Sequence, residues 1–74
     1  MNATRKDAAE KCRAIGKRNS LDPDDVNLFI ANHTEGDELV ALNPRTFKVE
    51  PIRKVQTIER LLVRFCAARQ SESN

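Results

Sequence analysis

Apolar residues recur at helical spacing over three stretches of this chain and alternate with polar ones over a fourth. Between Thr4 and about Arg18, Ala8, Cys12 and Ile15 share one side at 100° per residue, with Ala9 at its edge. Thr4 followed by Asp7 supplies a short capping signal there, and Gly16 to Leu21 reads as a connection. The second stretch opens on the sharpest local signal of the sequence. Asp22 is placed as an N-cap, Pro23 at the first helical position, and Asp24 and Asp25 in the first turn, where the helix dipole favours negative charge. Val26, Phe29, Ile30 and His33 follow at i, i+3, i+4 and i+7, which predicts a helix from Pro23 to Asn32 or His33, stopped by Gly36. The third stretch is the strongest. From Pro51 to about Arg69 there is no glycine and no further proline, and Val55, Ile58, Leu61, Leu62, Phe65 and Cys66 span one broad face. The polar residues from Gln70 to Asn74 are expected to form a disordered tail.

Between the second and third helices, Glu38 to Glu50 alternates as a hairpin does. With Pro44 and Arg45 as the loop, Leu42 opposes Phe47 and Val40 opposes Val49, so four apolar side chains share one face and Leu39, Ala41, Lys48 and Glu50 the other. Pro44 cannot take the positive φ of the tightest turns. A looser loop around a type I turn, with Asn43 first and Pro44 second, is therefore expected. The alternative is a short helix from Asp37 to Leu42, which would make the chain all-α. The expected fold is one small α+β domain over residues 1–74, three helices and one hairpin in the order α-α-β-β-α. Its predicted core is Ile15, Val26, Phe29, Ile30, Val40, Leu42, Phe47, Val49, Ile58, Leu62 and Phe65.

Size limits what such a domain can do. A chain of 74 residues hides only about 60% of the surface its unfolded form exposes, and a core of that size rarely supplies more than roughly 3 to 5 kcal/mol. Staples are scarce: Cys12 and Cys66 form no CxxC pair, and one histidine cannot complete a four-ligand zinc site, so no metal or other cofactor is expected. The two thiols read as small buried hydrophobes. A disulfide between them would need the first and last helices to pack together. No stretch approaches the roughly 20 apolar residues of a membrane span, and the start of the chain has no apolar leader, which leads us to expect a cytoplasmic protein away from membranes.

Charge is strongly sorted. Residues 1–19 carry six cations against two acids, residues 20–38 carry six acids and no cation, and residues 39–69 carry seven cations against Glu50 and Glu59. The total of +2 conceals this basic, acidic, basic pattern. On the last helix, Arg53, Arg60 and Arg64 line a narrow stripe opposite the apolar face, about 16 Å long at 1.5 Å per residue. Arginine suits bidentate contacts to phosphate and carboxylate. With Arg45 and Lys48 of the hairpin, this stripe points to a non-enzymatic nucleic-acid-binding or regulatory module whose partner is duplex nucleic acid or an acidic protein surface.

Catalysis has little to work with. No nucleophile elbow, phosphate-cradling glycine loop or HExxH occurs, and the spacing of Asp22, Asp24 and Asp25 is not that of a calcium loop. His33, on the apolar face at a helix end, reads as a hydrogen-bonded, half-buried residue. Phe29, Phe47 and Phe65 fall one per element on inferred apolar faces, as core and not as a base-stacking platform. The alternative function is a protein-interaction module or inhibitor, docking through the acidic helix or through surplus apolar residues such as Leu28, Leu39 and Leu61. A two-fold homodimer through the Leu61 and Ala68 edge of the last helix is a further expected way to cover apolar surface. In its order of elements the chain resembles small winged helix-turn-helix DNA-binding domains. That resemblance implies a second helix in the major groove and a hairpin wing. The chain departs from it where Asp24 and Asp25 would face phosphates.

Overall fold

Three helices and a three-stranded antiparallel sheet follow one another as α1 (Arg5–Arg18), α2 (Pro23–Asn32), β1 (Thr34–Glu35), β2 (Glu38–Asn43), β3 (Lys48–Pro51) and α3 (Val55–Glu72). The structure, a computed structural model, describes residues 5–72 and the side chains of residues 7–71. The α+β class expected from the sequence is the one observed, with strand and not helix at Glu38–Asn43. The Thr4 cap signal, and Ser73 and Asn74 of the expected tail, lie outside the described residues.

Local chemistry accounts for the helix ends. α1 runs through Gly16, which sequence reading left in a connection, and closes on a Schellman-type arrangement. The Leu21 N–H donates to the Gly16 carbonyl at 2.8 Å and the Ser20 N–H to the Lys17 carbonyl at 3.2 Å, with Ser20 itself left-handed at φ 56°. Gly16 is required for a different reason: a Cβ there would stand 2.8 Å from Val26 Cγ2, so its absence lets α1 and α2 approach. The α2 start is as read. Asp22 is extended, and its Oδ1 accepts the Asp24 N–H at 2.8 Å. At the other end His33 caps the helix, its N–H donating to the Ile30 carbonyl at 3.2 Å.

β1 is a strand the sequence reading lacked. It is two residues long, and Gly36 at φ 63° turns it back onto β2, with Glu35 opposite Glu38. Gly36 therefore serves a tight hairpin as well as ending a helical pattern. The order in the sheet is β1-β2-β3.

The second hairpin differs from expectation in register and in the face it buries. Leu42 opposes Val49 and Val40 opposes Pro51, so the loop is Pro44 to Phe47, four residues long, and Phe47 leaves the strand. Asn43 organises this looser loop: its Oδ1 accepts the Arg45 N–H at 2.9 Å and its carbonyl accepts the Phe47 N–H at 2.7 Å. Val40, Leu42 and Val49 do share one face of the pleat, since a two-residue shift preserves the alternation. That face is not the core face. Leu39, predicted to point outward, is buried, and Ile52, which extends the pairing through its N–H to the Leu39 carbonyl at 2.8 Å, packs beside it. Of the predicted core, Leu42, Phe47 and Val49 are exposed and Val40 is only half-buried.

The core lies among the helices. Ala8, Ala9, Cys12 and Ile15 of α1 meet Val26, Phe29 and Ile30 of α2 and Ile58, Leu62 and Cys66 of α3, with Leu39 as the sheet's contribution. Phe29 is the largest fully buried side chain and forms the hub of a ring cluster, stacked on His33 at 4.1 Å and edge-on to Phe65 at 5.6 Å. Burying one such ring contributes about 2 to 3 kcal/mol, a large share for a domain of this size. Leu21, Ile52, Leu61 and Phe65 close the rim. α3 starts at Val55, and not at Pro51, and extends to Glu72, so Gln70 and Ser71 of the expected tail are helical.

Candidate docking surface on the hairpin and the last helix

The hairpin reaches the core only at its base, through Leu39 and Ile52. Beyond that base, β2, β3 and their loop project as a wing. The outward face of the wing carries Leu42 at 60% exposure and Val49 at 58%, paired directly across the two strands, with Phe47 at the tip at 79%. Phe47 has φ 58°, a left-handed backbone in which a bulky side chain is an outlier costing about 1 to 3 kcal/mol. The tip is nevertheless well organised. Besides the Asn43 bonds, Thr46 Oγ1 accepts the Lys48 N–H at 3.3 Å, and the Glu50 carboxylate accepts from the Asn43 amide at 3.0 Å and the Thr46 hydroxyl at 3.5 Å.

Charged groups on this side divide into engaged and free. Arg53 precedes α3 and lies 3.6 Å from Glu38, so it does not extend an arginine stripe along the helix; the predicted 16 Å stripe is broken at its first member. Arg69 binds Asp25 at 2.9 Å. Arg45 in the loop, Lys48 on β3, Lys54 just before α3, and Arg60 and Arg64 on α3 form no ion pair with another described residue. The two acids of the same segment are occupied elsewhere, Glu50 in the loop and Glu59 with α1. Glu59 accepts from the Asn19 amide at 2.8 Å and lies 3.2 Å from Arg18, and these contacts hold its carboxyl below the ordinary range, the Asn19 bond foremost. Five exposed cations therefore have no ion-pair partner among the described residues.

A cleft of about 440 Å³ separates the hairpin from the first half of α3. Ala41, Leu42, Pro44, Pro51, Ile52 and Leu61 supply its apolar lining, and Glu50, Arg53 and Lys54 its charged groups. Sequence reasoning named Arg53 but missed Lys54, which was hidden inside an assumed helix start at Pro51. It also missed Leu42, Phe47 and Val49 as surface residues. The signal for Phe47 lay in the Asn43-Pro44 pair, whose longer loop carries Phe47 out of the ladder.

The other residues singled out from the sequence fall as follows. Leu28 is 38% exposed on α2, Leu39 is in the core and so offers nothing to a partner, and Leu61 packs half-buried on the core rim while Ala68 is exposed. Two of the three acids at the start of α2 have structural roles: Asp22 caps the helix and Asp25 holds Arg69. α2 carries no lysine or arginine, so the helix that a winged helix-turn-helix would place in the major groove is acidic here. His33 is half-buried and its Nδ1 donates to the Phe29 carbonyl at 2.9 Å, which leaves Nε2 as the acceptor of the neutral ring. Cys12 and Cys66 are free and buried. Burial pushes the Cys12 thiol up to about 11, against the pull of Arg13, and burial with Asp25 and Asp22 pushes Cys66 up as well, so neither is poised as a nucleophile. Among the described residues no group of histidines, cysteines and acids could hold a metal ion, and no helix is long and apolar enough to cross a membrane. The chain matches no protein-family model, and no curated protein or solved structure is detectably similar to it.

Proposed function

We propose that this chain is a non-enzymatic interaction module whose hairpin wing docks on a partner protein. The observation that carries the reading is the wing itself: Leu42, Phe47 and Val49 are exposed together on one short projecting element. Single exposed apolar residues are ordinary, whereas a clustered set beside polar residues is the usual composition of a binding surface. Phe47 adds a second reason. A glycine or asparagine would hold the same left-handed position at less cost, and the fold gains nothing from a ring that is 79% exposed. Buried in a partner, each of these side chains would contribute about 1.5 to 3 kcal/mol, the magnitude of an interface anchor. The surrounding cations, Arg45 and Lys48 above all, would form the rim and steer an acidic partner.

The test is retention of a cellular partner on the immobilised chain, compared among variants that keep the native circular dichroism. Replacing Leu42, Phe47 and Val49 together by serine should reduce retention of a specific protein at least tenfold, while Leu28→Ser on α2 should leave it unchanged. Retention that survives the triple substitution and falls with Leu28→Ser would move the docking face to the acidic helix and overturn the reading. The five unpaired cations Arg45, Lys48, Lys54, Arg60 and Arg64 also support duplex binding, while Arg53, expected to join them, is engaged by Glu38. Saturable duplex binding with a log-log salt slope near −4, indifferent to the serine triple, would replace the protein reading.

A further inference from the structure

We infer that the partner's docking segment is acidic and apolar-anchored, and that it lies in the cleft between the hairpin and α3. This rests on the docking reading above and assigns the chemistry of what docks. The cleft offers an apolar lining from Ala41, Pro44, Pro51, Ile52 and Leu61, with Leu42 shared between it and the outward face of the hairpin, which suits aliphatic or aromatic anchors. Its charged lining is Arg53, Lys54 and Glu50, a net positive set. Lys54 lines it with no ion pair to another described residue. Thr57 also lines it, and at 100° per residue Arg64 stands within about 20° of Thr57 around α3 and Arg60 within about 60°, so the same wall continues as a row of unpaired guanidinium groups.

Among the described residues no acid pairs with Lys54, Arg60 or Arg64: Glu50 accepts from Asn43 and Thr46, Glu59 from Asn19 with Arg18 beside it, and Glu38 pairs with Arg53. A partner carboxylate seated against Lys54, Arg60 or Arg64 meets a cation at no cost in broken ion pairs. Apolar anchors and acids thus face the chain from one segment, the pattern of an amphipathic helix laid into a groove.

A nucleic-acid backbone fits this cleft less well. It carries charge at every step, whereas the lining of the cleft is largely apolar, and that lining has no aromatic ring on which a base could stack. A peptide spaces its acids as needed and can present an apolar side chain to the floor.

The experiment uses the full chain labelled with ¹⁵N and three probes: an amphipathic peptide with Leu and Phe at every third or fourth position and Glu elsewhere, the same peptide with Lys for every Glu, and a short DNA duplex. The expected result is saturable shifts of the Leu42, Ile52, Thr57 and Leu61 amides with the acidic peptide, none with the basic one, and affinity at least tenfold weaker for Lys54→Glu combined with Arg60→Glu. Both substitutions are at exposed positions, so the fold should survive them; an unchanged spectrum of the free variant checks this. Equal binding of the basic peptide, no shift with either peptide, or duplex binding at these amides without peptide binding would each overturn the inference. Loss of the cellular partner with the serine triple, alongside failure of the acidic peptide here, would keep the docking reading and discard only the acidic cleft.

Discussion

Phe29 and Phe47 set the two halves of the molecule against each other. Phe29 sits at the centre of the helical layer with no exposed surface, stacked on His33 and edge-on to Phe65, in ordinary helical backbone. Phe47 stands at the hairpin tip, 79% exposed, in a left-handed conformation. The helical layer puts its apolar residues to work in folding, while the wing keeps Leu42, Phe47 and Val49 at the surface and holds its shape with polar bonds from Asn43, Thr46 and Glu50. Stability and binding are thus assigned to different elements. A small domain can afford an apolar docking surface when the residues on it are not also needed for its core.

That division can be broken by substitution, most sharply at the two rings. Phe29→Ala should cost about 3 to 5 kcal/mol, as much as a core of this size supplies, and leave the chain largely unfolded by circular dichroism at 25 °C. Phe47→Gly should cost nothing and stabilise by up to about 1 kcal/mol, since glycine takes the left-handed backbone without a Cβ clash. Denaturation showing a loss of more than about 1 kcal/mol for Phe47→Gly would mean that the tip belongs to the core, and the contrast would collapse.

The helical layer also depends on its caps. Asp22→Ala removes the acceptor of the Asp24 N–H and should lower the unfolding free energy by about 1 kcal/mol in urea, with no change at the wing. An unchanged midpoint would show that the α2 start is held by packing alone. The smallest effect is expected at Glu59, which ties α3 to the end of α1 through Asn19 and Arg18. Its folded pKa is lowered, so the stability it contributes is present above the unfolded value of about 4.5 and is lost as pH falls through the lower folded value. Glu59→Gln should remove that small contribution at neutral pH and leave the stability below the acid window nearly unaltered, so that stability against pH flattens across it. A slope identical to that of the parent chain would show that the contact is not coupled to folding.

Much of this architecture was legible from local pattern. The α2 boundaries, its Asp22 cap and the inward faces of all three helices follow from apolar spacing and capping chemistry, which act over a few residues. The two cysteines fell where small hydrophobes were expected. The candidate surface was legible only in part. Arg60 and Arg64 lie exposed on α3 as expected, but Arg53 is spent on Glu38, 15 residues away in sequence, and Lys54 could not be picked out before the helix start moved to Val55.

What the sequence determined alone is therefore the set of elements and the period of each: three amphipathic helices, and a hairpin whose Val40, Leu42 and Val49 share a face. What only the tertiary structure decided is which side of that hairpin turns inward. Alternation states that two faces differ without stating which one a neighbour covers. The core of α1, α2 and α3 accepts Leu39 and Ile52 at the hairpin base, and once those are buried the pleat sends Leu42 and Val49 outward. The four-residue loop then carries Phe47 out of the ladder altogether. The docking surface is thus a consequence of packing at the base of the wing, made by contacts among residues far apart in the chain.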